Sequence, residues 1–266
     1  MTVRREARLA DNRFETGLFA PRPQAASAAR MLLAQTRLEL KLLLRNGEQL
    51  LLTMFIPITL LIGLTLLPFG ELGDDRVGRV VPAVMMVAIM STAFTGQAIA
   101  VGFDRRYGAL KRLGATPLPR WGIIGGKSAA VVIVVILQSV LLGSIGAALG
   151  WRPSATGLLL GAVVIALGTV TFASMGLLLG GTLRAEIVLA LANIAWFVML
   201  GIGSVVFVDD QIPQGLQNVA RIVPSGALGE ALSRGVSSSF DVFGVVVLLV
   251  WAAVCSTLAV RTFKFT

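Results

Sequence analysis

The residues that could do chemistry are few, and their placing excludes most of it. The chain has no histidine and one cysteine, Cys255. A disulfide within the chain is therefore impossible, and Cys/His metal-ligand spacing is absent. Cys255 falls inside the last apolar run and reads as a small packing residue. One stretch imitates a phosphate loop, Trp121-Gly-Ile-Ile-Gly-Gly-Lys127-Ser128. The nucleotide-binding pattern needs glycine at its first position, where this chain has Trp121, and a preceding buried strand in an α/β domain. Neither exists here, so the stretch reads as the start of a membrane helix. No nucleophile–base pair is apparent, because histidine is missing and the carboxylates are scattered through loops and the tail. No catalytic residue, metal site or cofactor of the chain's own is expected.

The elements around these residues point to lipid as the solvent. The chain of 266 residues is 56% hydrophobic and only 14% charged, against about a quarter charged in a soluble domain. Apolar runs recur that could each cross a bilayer core of about 30 Å. They predict an all-α integral membrane fold with six spans, at residues 50–69, 80–103, 127–149, 155–183, 187–208 and 242–260. The fourth is long enough to be tilted or broken, at Gly176, Gly180 or Gly181. Glycines at four-residue spacing, Gly122/Gly126, Gly157/Gly161 and Gly176/Gly180, would let helix backbones approach closely.

The net charge of +9 sits in loops and flanks, which favours lipid headgroups over nucleic acid as the partner. Eighteen of the 23 Lys and Arg fall in 1–47, 105–127, at Arg184 and after residue 260; five fall in the other loops. That asymmetry predicts a multi-pass protein of the cell inner or plasma membrane with both termini cytoplasmic. Residues 1–25 read as a cytoplasmic tail, and no secretory signal is expected in the polar, basic stretch 1–29. Residues 26–47 read as an interfacial connecting helix: Arg30, Arg37, Lys41 and Arg45 share one narrow arc of the helical wheel, with Met31, Leu38 and Leu42 beside it. A plain cationic flank of the first span is the alternative. Residues 48–266 form the transmembrane domain.

The spans hold no ionisable side chain in their central portions, which disfavours a proton-driven pump. They do hold polar groups, among them Ser91, Thr95, Gln97, Gln138, Thr171 and Asn193. Such groups either bond helix to helix or line a cavity. Ser91, Thr95, Gln97 and Asn193, in the second and fifth spans, are the candidates to line one.

The most informative segment follows the second span: Phe103-Asp-Arg-Arg-Tyr-Gly-Ala-Leu-Lys-Arg-Leu-Gly-Ala-Thr-Pro-Leu-Pro-Arg120. Asp104 is expected to cap a short helix over 104–114. Tyr107, Leu110 and Leu113 fall on one face of that helix, Arg105, Arg106, Lys111 and Arg112 on its shoulder, and Gly114 and Pro117 stop it. A helix with an apolar edge and cations suits docking on a soluble partner.

Asp104-Arg105-Arg106-Tyr107-Gly108, Leu110-Lys111-Arg112-Leu113 and Thr116-Pro117-Leu118 resemble the coupling helix of ABC-2 type export permeases, the six-span subunits that include daunorubicin-type drug exporters. Many members carry a second acid where this chain has Arg106. Arg45-Asn46 is similar to that family's approach to the first span, and the stretch from Ile212-Pro213 to Pro224 resembles its extracellular helices, placed here within 209–235. Leu216, Val219, Ile222 and Val223 would form their apolar face. The resemblance implies that two permease subunits, alike or different, pair, and that each docks a separate ABC ATPase subunit, which holds ATP and Mg. It implies an ATPase-docking surface at Asp104, Arg105, Arg106, Tyr107, Gly108, Leu110, Lys111, Arg112 and Leu113, and outward transport of an amphiphile: a drug, lipid or lipid-linked molecule. A stand-alone channel or carrier and a membrane scaffold are the alternatives.

Overall fold

The computed structural model describes residues 26–67, 75–207 and 213–263, all helix and connection with no strand among them. The expected tail at 1–25 lies outside the described residues, as do 208–212 of the segment between the fifth and sixth runs. In chain order the helices are α1 Ala28–Arg45, α2 Gly47–Leu66, α3 Arg76–Arg106, α4 Ala109–Gly114, α5 Arg120–Ala148, α6 Ala155–Thr182, α7 Ala185–Ser204, α8 Gln214–Ile222, α9 Pro224–Val236 and α10 Val242–Thr262. Five of them, α3, α5, α6, α7 with its 3-10 extension to Phe207, and α10, are long and apolar enough to cross a membrane. The first expected span is α2, whose apolar portion, Thr53–Leu66, is shorter than the others.

Helix α6 is the centre of the bundle. Its N-terminus is set by Ser154, whose hydroxyl accepts from the Gly157 amide at 2.9 Å. It packs most extensively on α3, then on α10 and α9. Glycine makes those contacts possible. A Cβ at Gly180 would lie 2.4 Å from the Ala98 carbonyl oxygen, and one at Gly176 would lie 2.7 Å from that of Phe94. The expected break in this run does not occur, since α6 is one continuous helix from end to end. Its glycines admit a neighbour's backbone instead of bending their own.

The irregularity sits on the neighbour. Residues Met90–Gly96 of α3 form a π-helical turn. The wider turn splits the polar residues between two sides, a device common at functional sites. Ser91 accepts from Trp196 Nε1 of α7 at 3.1 Å. Thr92 donates to Gln138 Oε1 of α5 at 3.0 Å, and Gln138 in turn donates to the Thr53 carbonyl of α2 at 2.6 Å. Ser91 and Thr92 thus bond to α7 and α5 directly and reach α2 through Gln138.

The segment between α7 and α10 re-enters the bundle. Leu228 of α9 is fully buried against Gly168, at the middle of α6, while Val236 meets Gly157 and Gly161 nearer its start. Helix α9 therefore climbs back along α6, starting from Pro224 at its first position. Arg221 of α8 reaches the buried Asp241 at 3.0 Å, and Trp251 of α10 donates to the Ile222 carbonyl at 3.1 Å. The expected apolar face of α8 exists, but Leu216, Val219 and Ile222 point outward.

The glycine pairs now separate. Gly157/Gly161 and Gly176/Gly180 admit other helices; Gly126 admits Gln35 of α1, while Gly122 faces only Leu118 and Pro119 of its own preceding turn. Gly180→Ala should accordingly lower the stability of the solubilised chain by about 1–3 kcal/mol through forced separation. Gly201→Ala, where nothing lies within 4 Å, should leave it unchanged or raise it by about 0.5–1 kcal/mol. Thermal unfolding in detergent checks both.

Candidate functional site

The segment from 104 to 118 is built as a hinge between two long helices. Helix α3 runs through Asp104 and ends at Arg106, so Asp104 is not a helix cap: it lies in the last turn of α3. Tyr107 closes that turn, its amide donating to the Phe103 carbonyl at 2.9 Å. Gly108 follows at φ +70°, a left-handed conformation that glycine adopts without steric penalty. Helix α4 then begins at Ala109, short of the expected start, and ends at Gly114. The Thr116 hydroxyl donates to the Leu113 carbonyl at 2.6 Å, and Pro119 opens α5.

Three of the residues assigned to docking point into the protein. Asp104 Oδ2 accepts from Lys127 Nζ of α5 at 2.6 Å, and the same Nζ donates to Glu39 Oε2 of α1 at 2.9 Å. The Lys127 and Glu39 side chains are 7% and 9% exposed, against 36% for Asp104. Gln35 Nε2 donates to the other Glu39 oxygen at 2.7 Å. One buried ammonium thus faces two carboxylates, and three helices meet on it. Arg105 donates to the carbonyls of Gly180 and Leu183, at 3.1 and 2.9 Å, where α6 ends. A guanidinium there satisfies terminal carbonyls and complements the helix dipole. Leu110, expected on the docking edge, is fully buried with Val101, Ile123, Leu177 and Phe263. It anchors α4, so its side chain belongs to the core and not to a docking surface.

What α4 leaves outside is a smaller face. Tyr107 is 67% exposed, Lys111 and Arg112 are exposed, and Leu113 is half-buried. Arg106 pairs with Glu186 at the start of α7, both well exposed, and lies 6.0 Å from the Tyr107 ring centroid. Trp121, half exposed at the start of α5, stands nearby in sequence and was not singled out by residue pattern. Helix α1 lies along α5 with Gln35, Thr36 and Glu39 buried. Its Arg30, Arg37, Lys41 and Arg45 are all exposed, with Leu33 and Leu44 on one side of that arc and Leu38 and Leu42 on the other, exposed as well.

The polar residues proposed for a path divide. Ser91, Thr95 and Asn193 line one cleft of about 470 Å³ between α2, α3 and α7, together with Asn46, Ile56, Trp196 and Phe197. Thr95 Oγ1 is buried there without a hydrogen-bond partner among the described residues. Asn193 Nδ2 is held by the Leu189 carbonyl of its own helix at 2.7 Å. Gln97 is not in this cleft. It is buried on another side of α3, beside Thr92 and Val131. Among the described residues no charged side chain lines the cleft, whose walls mix amides and hydroxyls with aromatic and aliphatic faces.

Sequence pattern missed Glu39 as a partner, because a single acid in a cationic helix looks like a surface residue. It also missed Trp196 and the π-helical turn. Two clues were present: Glu39 lies opposite the cation arc, and Lys127 stands on the glycine-flanked face of α5 that α1 covers. Among the described residues no His/Cys/Asp/Glu group is arranged to hold a metal ion.

A family model described as ABC-2 type transporter matches residues 31–236, which include most of α1, the ion centre, α4 and the cleft. Comparison with curated proteins gives no match.

The ion centre makes a quantitative prediction. Lys127→Ala leaves the Glu39 carboxylate buried without its ammonium, facing a partly exposed Asp104, and should cost about 3–5 kcal/mol. The double variant Glu39→Gln, Lys127→Met should recover part of that loss. Glu186→Gln, which removes only the exposed pair with Arg106, should cost less than about 1 kcal/mol. Thermal denaturation of the solubilised chain measures all three.

Proposed function

The chain belongs to the ABC-2 type transporter family, and on that premise we propose that it is the permease subunit of an ATP-driven exporter. Members of the family are transmembrane subunits, not themselves catalytic, that associate with an ABC ATPase subunit. In this reading α2 completes a six-span domain. Its 20 residues would extend about 30 Å as a helix, the thickness of a bilayer core. Both termini and α4 face the cytoplasm of a cell inner or plasma membrane, where most of the Lys and Arg lie. Helix α1 lies at the headgroups, its exposed cations toward phosphate and its flanking leucines in the acyl boundary.

Two permease subunits pair, and each docks one ATPase subunit, which binds ATP and Mg. The docking face is Tyr107, Lys111 and Arg112, with Arg106, Gly108 and Leu113 at its border. Asp104, Arg105 and Leu110 instead hold that face to the bundle. When the ATPase subunits close, α4 is displaced. Leu110 carries the displacement into the core, and Asp104 and Lys127 carry it to α5 and α1. The π-helical turn, on the same helix as Asp104, borders the cleft at Ser91 and Thr95. The cargo is amphiphilic, a drug, a lipid or a lipid-linked molecule, because the cleft pairs uncharged polar groups with Trp196 and Phe197.

The observation that carries the reading is the two-sidedness of α4: Leu110 is fully buried while Tyr107, Lys111 and Arg112 stand exposed. Charge reversal at Lys111 and Arg112 tests it. The variant chain should fold with unchanged thermal stability, yet lose co-purification of the ATPase subunit and outward transport in proteoliposomes. Full assembly and transport in that variant would refute the docking assignment.

A further inference from the structure

A second concavity lies far from α4 and shares no residue with the cleft. It runs between α5 and α6, with a volume of about 700 Å³, within the range of small-ligand pockets. Val132, Ile136 and Val140 form one wall, Leu158, Ala162 and Ile165 the other. Gly143, Gly157 and Gly161 give it depth. Two of the three hydroxyls in its walls are spent internally, Ser144 donating to the Val140 carbonyl at 2.8 Å and Thr169 to that of Ile165 at 2.6 Å, and Ser139 supplies the third. Apart from the Ser139 hydroxyl, the surface it offers between the two walls is apolar.

Its mouth is different. The α5–α6 turn is Leu149-Gly-Trp-Arg-Pro-Ser154, with one cation and no acid. Trp151 is buried at the rim, its ring against Gly143 and Gly146. Arg152 is exposed at the same rim, and its Nη1 donates to the Ala147 and Trp151 carbonyls. Arginine has five N–H donors. Nε and Nη2 have no partner among the described residues, so they remain for an anion at the mouth. Tryptophan and arginine at this level are what a headgroup boundary selects.

The length decides the occupant. From Gly157 at the mouth to Thr169 at the far end, the groove follows twelve residues of α6, about 18 Å at helical rise. One leaflet contributes about half of a 30 Å hydrocarbon core. An apolar groove one leaflet long, with a cation at the headgroup end, fits a single phospholipid. We propose that this groove holds one acyl chain of a phospholipid from the leaflet remote from α4, with the lipid phosphate on Arg152.

The site rests on the membrane placement of the chain but not on any ATPase partner or on transport. Its test therefore stands or falls separately from the docking assignment. The purified full chain is reconstituted in nanodiscs with phosphatidylglycerol carrying a photoactivatable group on the acyl chain, and labelled peptides are mapped by mass spectrometry. Residues 132–169 should be labelled several-fold more than the outward face of α10 at Val246, Val250 and Val254, which is equally open to lipid. Ala162→Phe fills the groove from an exposed position and should remove the excess. Arg152→Ala should raise the lipid concentration at half-labelling about tenfold. Val250→Phe should change nothing. Equal labelling of groove and α10, or an excess that survives Ala162→Phe, overturns the proposal. So does a cross-link that joins two copies of the chain through this groove in place of lipid.

Discussion

An ammonium buried between two carboxylates is the constraint on which the α4 end of this protein depends. Taking Lys127 out of water alone would be prohibitive, and even a paired buried charge gains little over an apolar replacement. What the arrangement does supply is definition. Glu39 comes from α1, Asp104 from α3 and Lys127 from α5, and no one of the three can move without exposing a charge. The apolar contacts around them are interchangeable by comparison. At the opposite end Arg221 and the buried Asp241 play the same part for α8 and α10. The bundle is thus pinned by charge at both ends and held by packing between them.

Between those pins, α6 is the axis against which everything else is placed. Its glycines bring the carbonyls of Ala93, Phe94 and Ala98 within van der Waals reach. The π-helical stretch of α3 lies in this same interval. The polar residues of that stretch then face outward to α5, α2 and α7. Tight contact at Gly176 and an opened turn at Ser91 to Thr95 are two sides of one helix.

Much of this was legible from residues alone, for identifiable reasons. Long apolar runs, the cation asymmetry and the glycine spacing are local signals, and the helices stand close to where those signals put them. The α4 segment was legible as a helix with two faces, but not as to which residues face in. Leu110 and Tyr107 share a wheel face on paper. A left-handed Gly108 between them restarts the helix and turns one inward and one outward. Asp104 has the residue type of a cap, but its partner is 23 positions away on another helix. Glu39 pairs across 88 positions, and no pattern within α1 announces that. The return of α9 along α6 was likewise hidden, since its small residues match a loop as well as a packed helix. Long-range pairing and chain reversal inside a bundle are tertiary facts with weak local traces.

In the proposed cycle, motion at α4 reaches the cleft through the Lys127 centre. Spin labels at Lys111 and at Phe197, in the assembled complex with its ATPase subunit, measure this directly as a distance with and without a non-hydrolysable ATP analogue. In the otherwise unaltered protein the distance distribution should shift on nucleotide binding. With Glu39→Gln and Lys127→Met, which keep the side-chain volumes and remove the ammonium and its buried carboxylate partner, nucleotide should still bind while the shift disappears. An undiminished shift in that variant would contradict the account.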